Sequence, residues 1–173
     1  MRLDKWAVTA QEALQAALGI AADADAGQVQ PVHLLKALLS SGERNISAIV
    51  ERVGVDPASI ESQVDAAIAR QPKVTGGMSQ MGIGNDLLKV GDAAEKLASK
   101  MGDSYVTSEH LLCSLADDKS DAGSILKSAG ITGKRVQEAY SELRGDEHIT
   151  SQEAKPQLKA LEQRLGATLI ERT

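Results

Sequence analysis

Phenylalanine is absent from these 173 residues, tryptophan occurs once and tyrosine twice. The 42% hydrophobic content must therefore be met largely by Ala, Leu, Ile and Val, and short aliphatic side chains in an Ala-rich chain favour closely packed helices over a sheet. A single cysteine, Cys113, excludes an internal disulfide. It sits beside Leu111, Leu112 and Leu115, where it reads as a small buried hydrophobe. No basic run appears and the formal net charge is −5, which argues against a partner held by phosphate neutralisation, so no nucleic acid is expected. No stretch approaches the ~20 apolar residues that span a bilayer, and the opening "MRLDKWAV" has no continuous apolar segment of a signal peptide. No membrane partner is expected, and a cytoplasmic protein is the simplest reading.

Apolar residues recur at helical spacing over almost the whole chain. Ala10, Ala13, Leu14, Ala17, Leu18 and Ala21 line a first helix that ends near Gly27. Pro31 starts a second through Ser40, because a missing N–H costs nothing in a first helical turn. Asn45 is the expected cap of a third, closed by Gly54 in a left-handed conformation, and Asp56-Pro57 starts a fourth with Ile60, Val64, Ala67 and Ile68 inward. The glycine-rich stretch 71–84 reads as a linker without regular structure. The same programme then returns, with helices expected from Asn85 to Met101, Ser108 to Asp117, around Ile125 and Leu126, and Thr132 to Arg144.

At an offset of 77 residues the halves share Ala17/Ala94, Ala21/Ala98, Val29/Val106, His33/His110, Leu34/Leu111, Leu35/Leu112 and Leu38/Leu115. One deletion later the offset is 76, pairing Ile49 with Ile125, Gly54 with Gly130 and Ile60 with Val136. This is a tandem duplication of a four-helix unit. A unit of about 70 residues buries little surface alone, so the two copies are expected to form one all-α, pseudo-twofold globular domain over 1–145, with repeat one at 1–70 and repeat two at 85–145. Residues 146–173 read as a polar tether followed by a helix carrying Leu158, Leu161 and Leu165.

Catalytic chemistry finds no constellation. "SAGITGKR" has Ser128 and Arg135 where a phosphate loop needs Gly and a hydroxyl. His33 and His110 hold equivalent repeat positions and His148 stands apart, so the first two are expected to fix helix starts and not to bind metal. With one Cys and no His–Asp pattern, a nucleophilic triad has no support. A binding surface remains, since grooves between paired helices can take an extended chain.

"MRLDKW", the two "HLL" helices, "GDSYVTSEHLL" and "KSAGI" resemble the N-terminal domains of the ClpB family of AAA+ disaggregase chaperones, over residues 1 to 162. The tandem pattern is shared with ClpA and ClpC N-domains. The resemblance implies a non-catalytic domain that binds unfolded or aggregated polypeptides and passes them to the ATPase domains of the same protein in a hexamer. A co-chaperone or adaptor is a further implied partner, and adaptor docking, as in ClpA- and ClpC-type unfoldases, is the alternative function. It implies no cofactor here, with ATP and magnesium confined to ATPase domains toward which "LKALEQ" would lead. The family pattern fails after Gln163. Family members use an acidic pair and a threonine in substrate engagement: the pair is matched by Asp103 and Glu109, whereas the threonine position holds Ala7. Chemistry alone also allows Asp103 as a turn cap and Glu109 as a first-turn carboxylate favoured by the helix dipole. The family's apolar groove maps onto Val90, Ala94 and Leu97, bordered by Tyr105 and Val106, a stripe that a helix would also use for ordinary core packing.

Overall fold

The computed structural model describes residues 1–74, 82–145 and 147–153. Its eight helices among these residues are α1 (Val8–Asp23), α2 (Pro31–Ser40), α3 (Arg44–Val53), α4 (Pro57–Arg70), α5 (Asn85–Lys100), α6 (Ser108–Ala116), α7 (Asp121–Ser128) and α8 (Gly133–Arg144). A 3-10 turn over Leu3–Lys5 precedes them. Local chemistry explains most boundaries. The Asp56 carboxylate accepts the Ala58 N–H at 3.0 Å ahead of Pro57, and Gly54 closes α3 at φ 104°. Helix α3 begins at Arg44 behind Glu43, and not at a cap on Asn45. The expected tail helix at Leu158–Leu165 lies outside the described residues.

The two histidines do fix helix starts, each by the same reciprocal cap. The Gln30 N–H donates to His33 Nδ1 at 2.9 Å and the Thr107 N–H donates to His110 Nδ1 at 2.9 Å, while the Gln30 and Thr107 side chains accept from the third residue of α2 and α6. An imidazole thus fills the place usually taken by Glu or Gln in a capping box.

Packing follows the duplication. Helix α1 lies on α2 as α5 lies on α6, and α2 meets α4 as α6 meets α8. The seam is made by α3 against α8, by α4 against α7, and by α2 and α6 side by side at the centre. Ala10, Ala13, Ala17 and Ala21 are all buried on α1, so the small side chains let it approach α2 closely. The repeats also exchange strands: β1 (Gln28–Val29) pairs in parallel with β2 (Gly82–Ile83), and Trp6 bridges Val106 in the equivalent place. The last residues of the expected structureless linker are therefore strand. The two pairings are related residue by residue, since Gly84 N–H donates to Val29 O at 3.0 Å and Ala7 N–H to Val106 O at 2.8 Å.

Gly123 on α7 sits directly against the Asp118 carbonyl, and a Cβ there would collide with backbone. Gly123→Ala is expected to cost about 1–3 kcal/mol, read from the urea midpoint, because the turn before α7 must move. A loss below about 0.5 kcal/mol would show that this turn yields freely.

Candidate functional site

Two clefts open at pseudo-symmetric places. The first, about 610 Å³, lies between α1, the α2–α3 turn and the start of α6, lined by Thr9, Glu12, Ala13, Ala16, residues 41–45 and Glu109. The second, about 410 Å³, lies between α5, α6 and α8 and includes Lys89, Val90, Ala93, Leu97, Lys100, Asp118 and Lys134. Glu12, Ala13, Ala16 and Ser41 of the first correspond at the 77-residue offset to Lys89, Val90, Ala93 and Asp118 of the second. Duplication has kept the groove and changed its chemistry: Glu12, Glu43 and Glu109 with Arg44 line the first, and Lys89, Lys100 and Lys134 with Asp117 and Asp118 line the second.

Glu109 is 2% exposed, and its Oε2 has no hydrogen-bond partner among the described residues. Thr9 Oγ1 in the same cleft is likewise without one. Glu109 lines the cleft, but its Oε2 has almost no accessible surface, so a donor from an incoming chain reaches it only if the cleft wall shifts. In the second cleft the Ser114 hydroxyl donates to the Val90 carbonyl at 2.7 Å, closing the wall between α5 and α6. Leu97 is half-buried there, available to both core and cleft.

The remaining residues of the sequence-based site are distributed otherwise. Ala94 is wholly buried, packed in the core, and Tyr105 is half-exposed but lines neither cleft. The Asp103 side chain is fully enclosed and does not share a surface with Glu109. Asp103 Oδ2 accepts from His110 Nε2 at 2.8 Å and pairs with Arg144 Nη2 at 2.9 Å; Oδ1 accepts from Arg144 Nη1 at 3.0 Å and from the Ile149 N–H at 2.8 Å. Because a backbone N–H can only donate, His110 Nδ1 accepts from Thr107, which places the ring proton on Nε2, toward Asp103. Arg144 also donates to the Tyr140 hydroxyl at 2.9 Å and lies 4.5 Å from that ring's centre. Burial opposes ionisation of Asp103, but the hydrogen bonds from His110, Arg144 and Ile149 outweigh it and hold the carboxyl below its usual range.

Sequence reasoning missed Thr9, Glu12, Glu43 and Arg44 in the first cleft, and Tyr140 and Arg144 beside Asp103. A signal for the latter exists in the repeat offset: Asp103, Tyr140 and Arg144 stand where repeat one has Ala26, Val64 and Ile68. Three polar residues at three apolar positions mark a built network.

No group of three or more His, Cys, Asp or Glu side chains among the described residues is arranged to hold a metal. Burial pushes the Cys113 thiol up to about 12, unsuited to nucleophilic work, and the thiol donates to the Gly133 carbonyl at 3.1 Å. Among the described residues no helix is long and apolar enough to cross a membrane.

Comparison with known proteins gives the arrangement a family. The chaperone protein ClpB of Corynebacterium glutamicum is 36% identical over 152 residues, which is 87% of this chain and 18% of that protein. This chain thus spans under a fifth of the length of that relative. Among solved structures, the Hsp104 N-terminal domain from Candida albicans superposes with a TM-score of 0.76 at 23% identity, covering 86% of this chain and 97% of that one. A ClpV N-domain in complex with a VipB peptide shares the fold at a TM-score of 0.63 and 17% identity, covering 80% of this chain and 86% of that one. The model of the Clp repeat (R) N-terminal domain matches residues 5–129, and with its duplicated four-helix units this chain belongs to that family.

Proposed function

We propose that this chain is the non-catalytic, substrate-binding N-domain of a ClpB-type disaggregase, holding unfolded or aggregated protein segments until an ATPase ring formed by further domains of the same protein engages them. Nucleotide and magnesium would act in that ring, in the cytoplasm. The observation that carries the reading is Glu109, a buried carboxylate with an unpartnered oxygen at a cleft large enough for a peptide segment. The second cleft supports it with a different chemistry, an apolar strip of Val90, Ala93 and Leu97 between lysines, suited to the apolar side chains of an unfolded chain. Asp103 acts in this reading through the position of its neighbours, with Ala94 packed in the core behind the α5 face and Tyr105 half-exposed in the turn before α6. Weak binding at each cleft suffices, because several copies in a hexamer add avidity.

A permanently unfolded model protein provides the test. Leu97→Ala and Glu109→Gln are each expected to weaken its binding roughly 3–10-fold, the effect of losing ~0.7–1.4 kcal/mol, with far-UV helicity unchanged. Unchanged affinity in both variants would remove both clefts from the function.

The peptide bound by the ClpV N-domain favours a second reading, in which the partner is one specific protein such as an adaptor. In that case reversing the charge of Lys89 and Lys100 would abolish binding to a folded partner, while unfolded chains would compete poorly.

A further inference from the structure

Beyond α8 the chain turns back onto the domain. Ile149 is 2% exposed, its N–H donates to Asp103 Oδ1 at 2.8 Å, and its carbonyl accepts the Ser104 N–H at 2.7 Å. Three residues later the Gln152 carbonyl accepts the Val8 N–H at 3.0 Å, and the Gln152 side-chain amide donates to the Trp6 carbonyl at 3.0 Å. Residues 149–152 are thus tied both to the turn after α5 and to the start of α1. That start needs a partner: Ala7 occupies the cap position and offers no side-chain acceptor, so one of the free N–H groups of the first turn is satisfied by the strap.

Repeat one is the control within the same molecule. Its last helix is also followed by a returning segment, and among the described residues its attachment at that turn is one backbone bond, Val74 N–H to Asp25 O at 2.8 Å. Ala26 stands in place of Asp103, and His33 Nε2, equivalent to the His110 atom that bonds Asp103, has no partner among the described residues. The four-helix unit therefore folds with apolar residues at these positions. Placing a carboxylate and a guanidinium there is costly unless both are fully satisfied, and what it adds in repeat two is an acceptor for the returning backbone.

We propose that residues 148–152 are a docked strap clasped by Asp103, so that the chain leaves the domain toward a following ATPase body beside the start of α1, and not at the end of α8. Asp103 is then a positioning residue: one carboxylate joins the start of α6, the end of α8 and the strap. Release of the clasp would free the eight residues from Gly145 to Gln152, adding about 28 Å of reach at ~3.5 Å per residue and lowering the effective concentration of the domain over the ring. The significance for the tether rests on the function proposed above; the docking itself does not, and its test involves no client.

The test is amide exchange by NMR on the 173-residue chain. The Val8 and Ser104 amides, whose acceptors are strap carbonyls, are expected to be protected, and Ile149→Ser should speed their exchange at least tenfold while Leu34 and Leu111 inside α2 and α6 keep theirs. Ile149→Ser leaves the charged network in place, so it separates strap release from loss of fold. Asp103→Asn should give the same pattern if the variant folds. Exchange at Val8 and Ser104 that is already unprotected in the natural chain, or unchanged by Ile149→Ser, would overturn the strap.

Discussion

Asp103→Ala is expected to destabilise the domain by about 3–5 kcal/mol, because Arg144 would remain buried without its carboxylate and the His110 ring N–H would lose its acceptor. Thermal or urea unfolding reads this directly. The contrast with repeat one sharpens the expectation. The double variant Asp103→Ala, Arg144→Ile rebuilds the apolar arrangement of Ala26 and Ile68 and should recover at least half of the lost stability, without restoring protection of the strap. A single variant that loses less than about 1 kcal/mol would contradict the clasp.

Asp103 also predicts an acid limb. Its folded pKa lies below its unfolded value near 3.8, so its contribution to stability is fully present above the unfolded value. As pH falls below about 3.8 and through the folded value, that contribution disappears. The natural chain should lose stability more steeply than the double variant over this range. Parallel profiles would mean that the carboxylate is not held as described.

Trp6→Ala is expected to cost a further class of energy, about 3–5 kcal/mol, through the cavity left by the largest fully buried side chain. The indole lies against Gly91 of α5 and its Nε1 donates to Glu95 at 3.1 Å, while its backbone makes the bridge to Val106. Trp6 thus pins the first residues of repeat one onto repeat two. The urea midpoint should fall with the slope unchanged. A small loss would show that the N-terminal segment contributes little to the seam.

Much of this fold was legible because its determinants are local. The HLL starts, the Asp56-Pro57 and Gly54 boundaries, and the apolar faces of α1 and α4 lie within one or two helical turns of the residues that define them. The role of His33 and His110 at helix starts was legible for the same reason. The strand exchange was not, since two-residue strands carry no period, and their partners lie 54 and 100 residues away. Nor was the Asp103–Arg144 pair, in which a terminal helical arginine looks exposed until a carboxylate 41 residues distant encloses it. The strap is polar in composition, which reads as a tether, yet three of its hydrogen bonds to the domain are made by the backbone groups of Ile149 and Gln152, which side-chain patterning does not report. The site was legible only in part. Glu109, Val90 and Leu97 do line clefts, but Asp103 and Ala94 are internal and the different charge balance of the two clefts emerges only when both are seen.

The most direct measurement is an NMR titration of the isotope-labelled chain with a permanently unfolded model protein. Substrate capture predicts shifts concentrated at Glu109 and Thr9 in one cleft and at Val90, Ala93 and Leu97 in the other, with the amides inside α4 and α7 unmoved. No shifts at high excess, or shifts confined to surfaces away from both clefts, would contradict it.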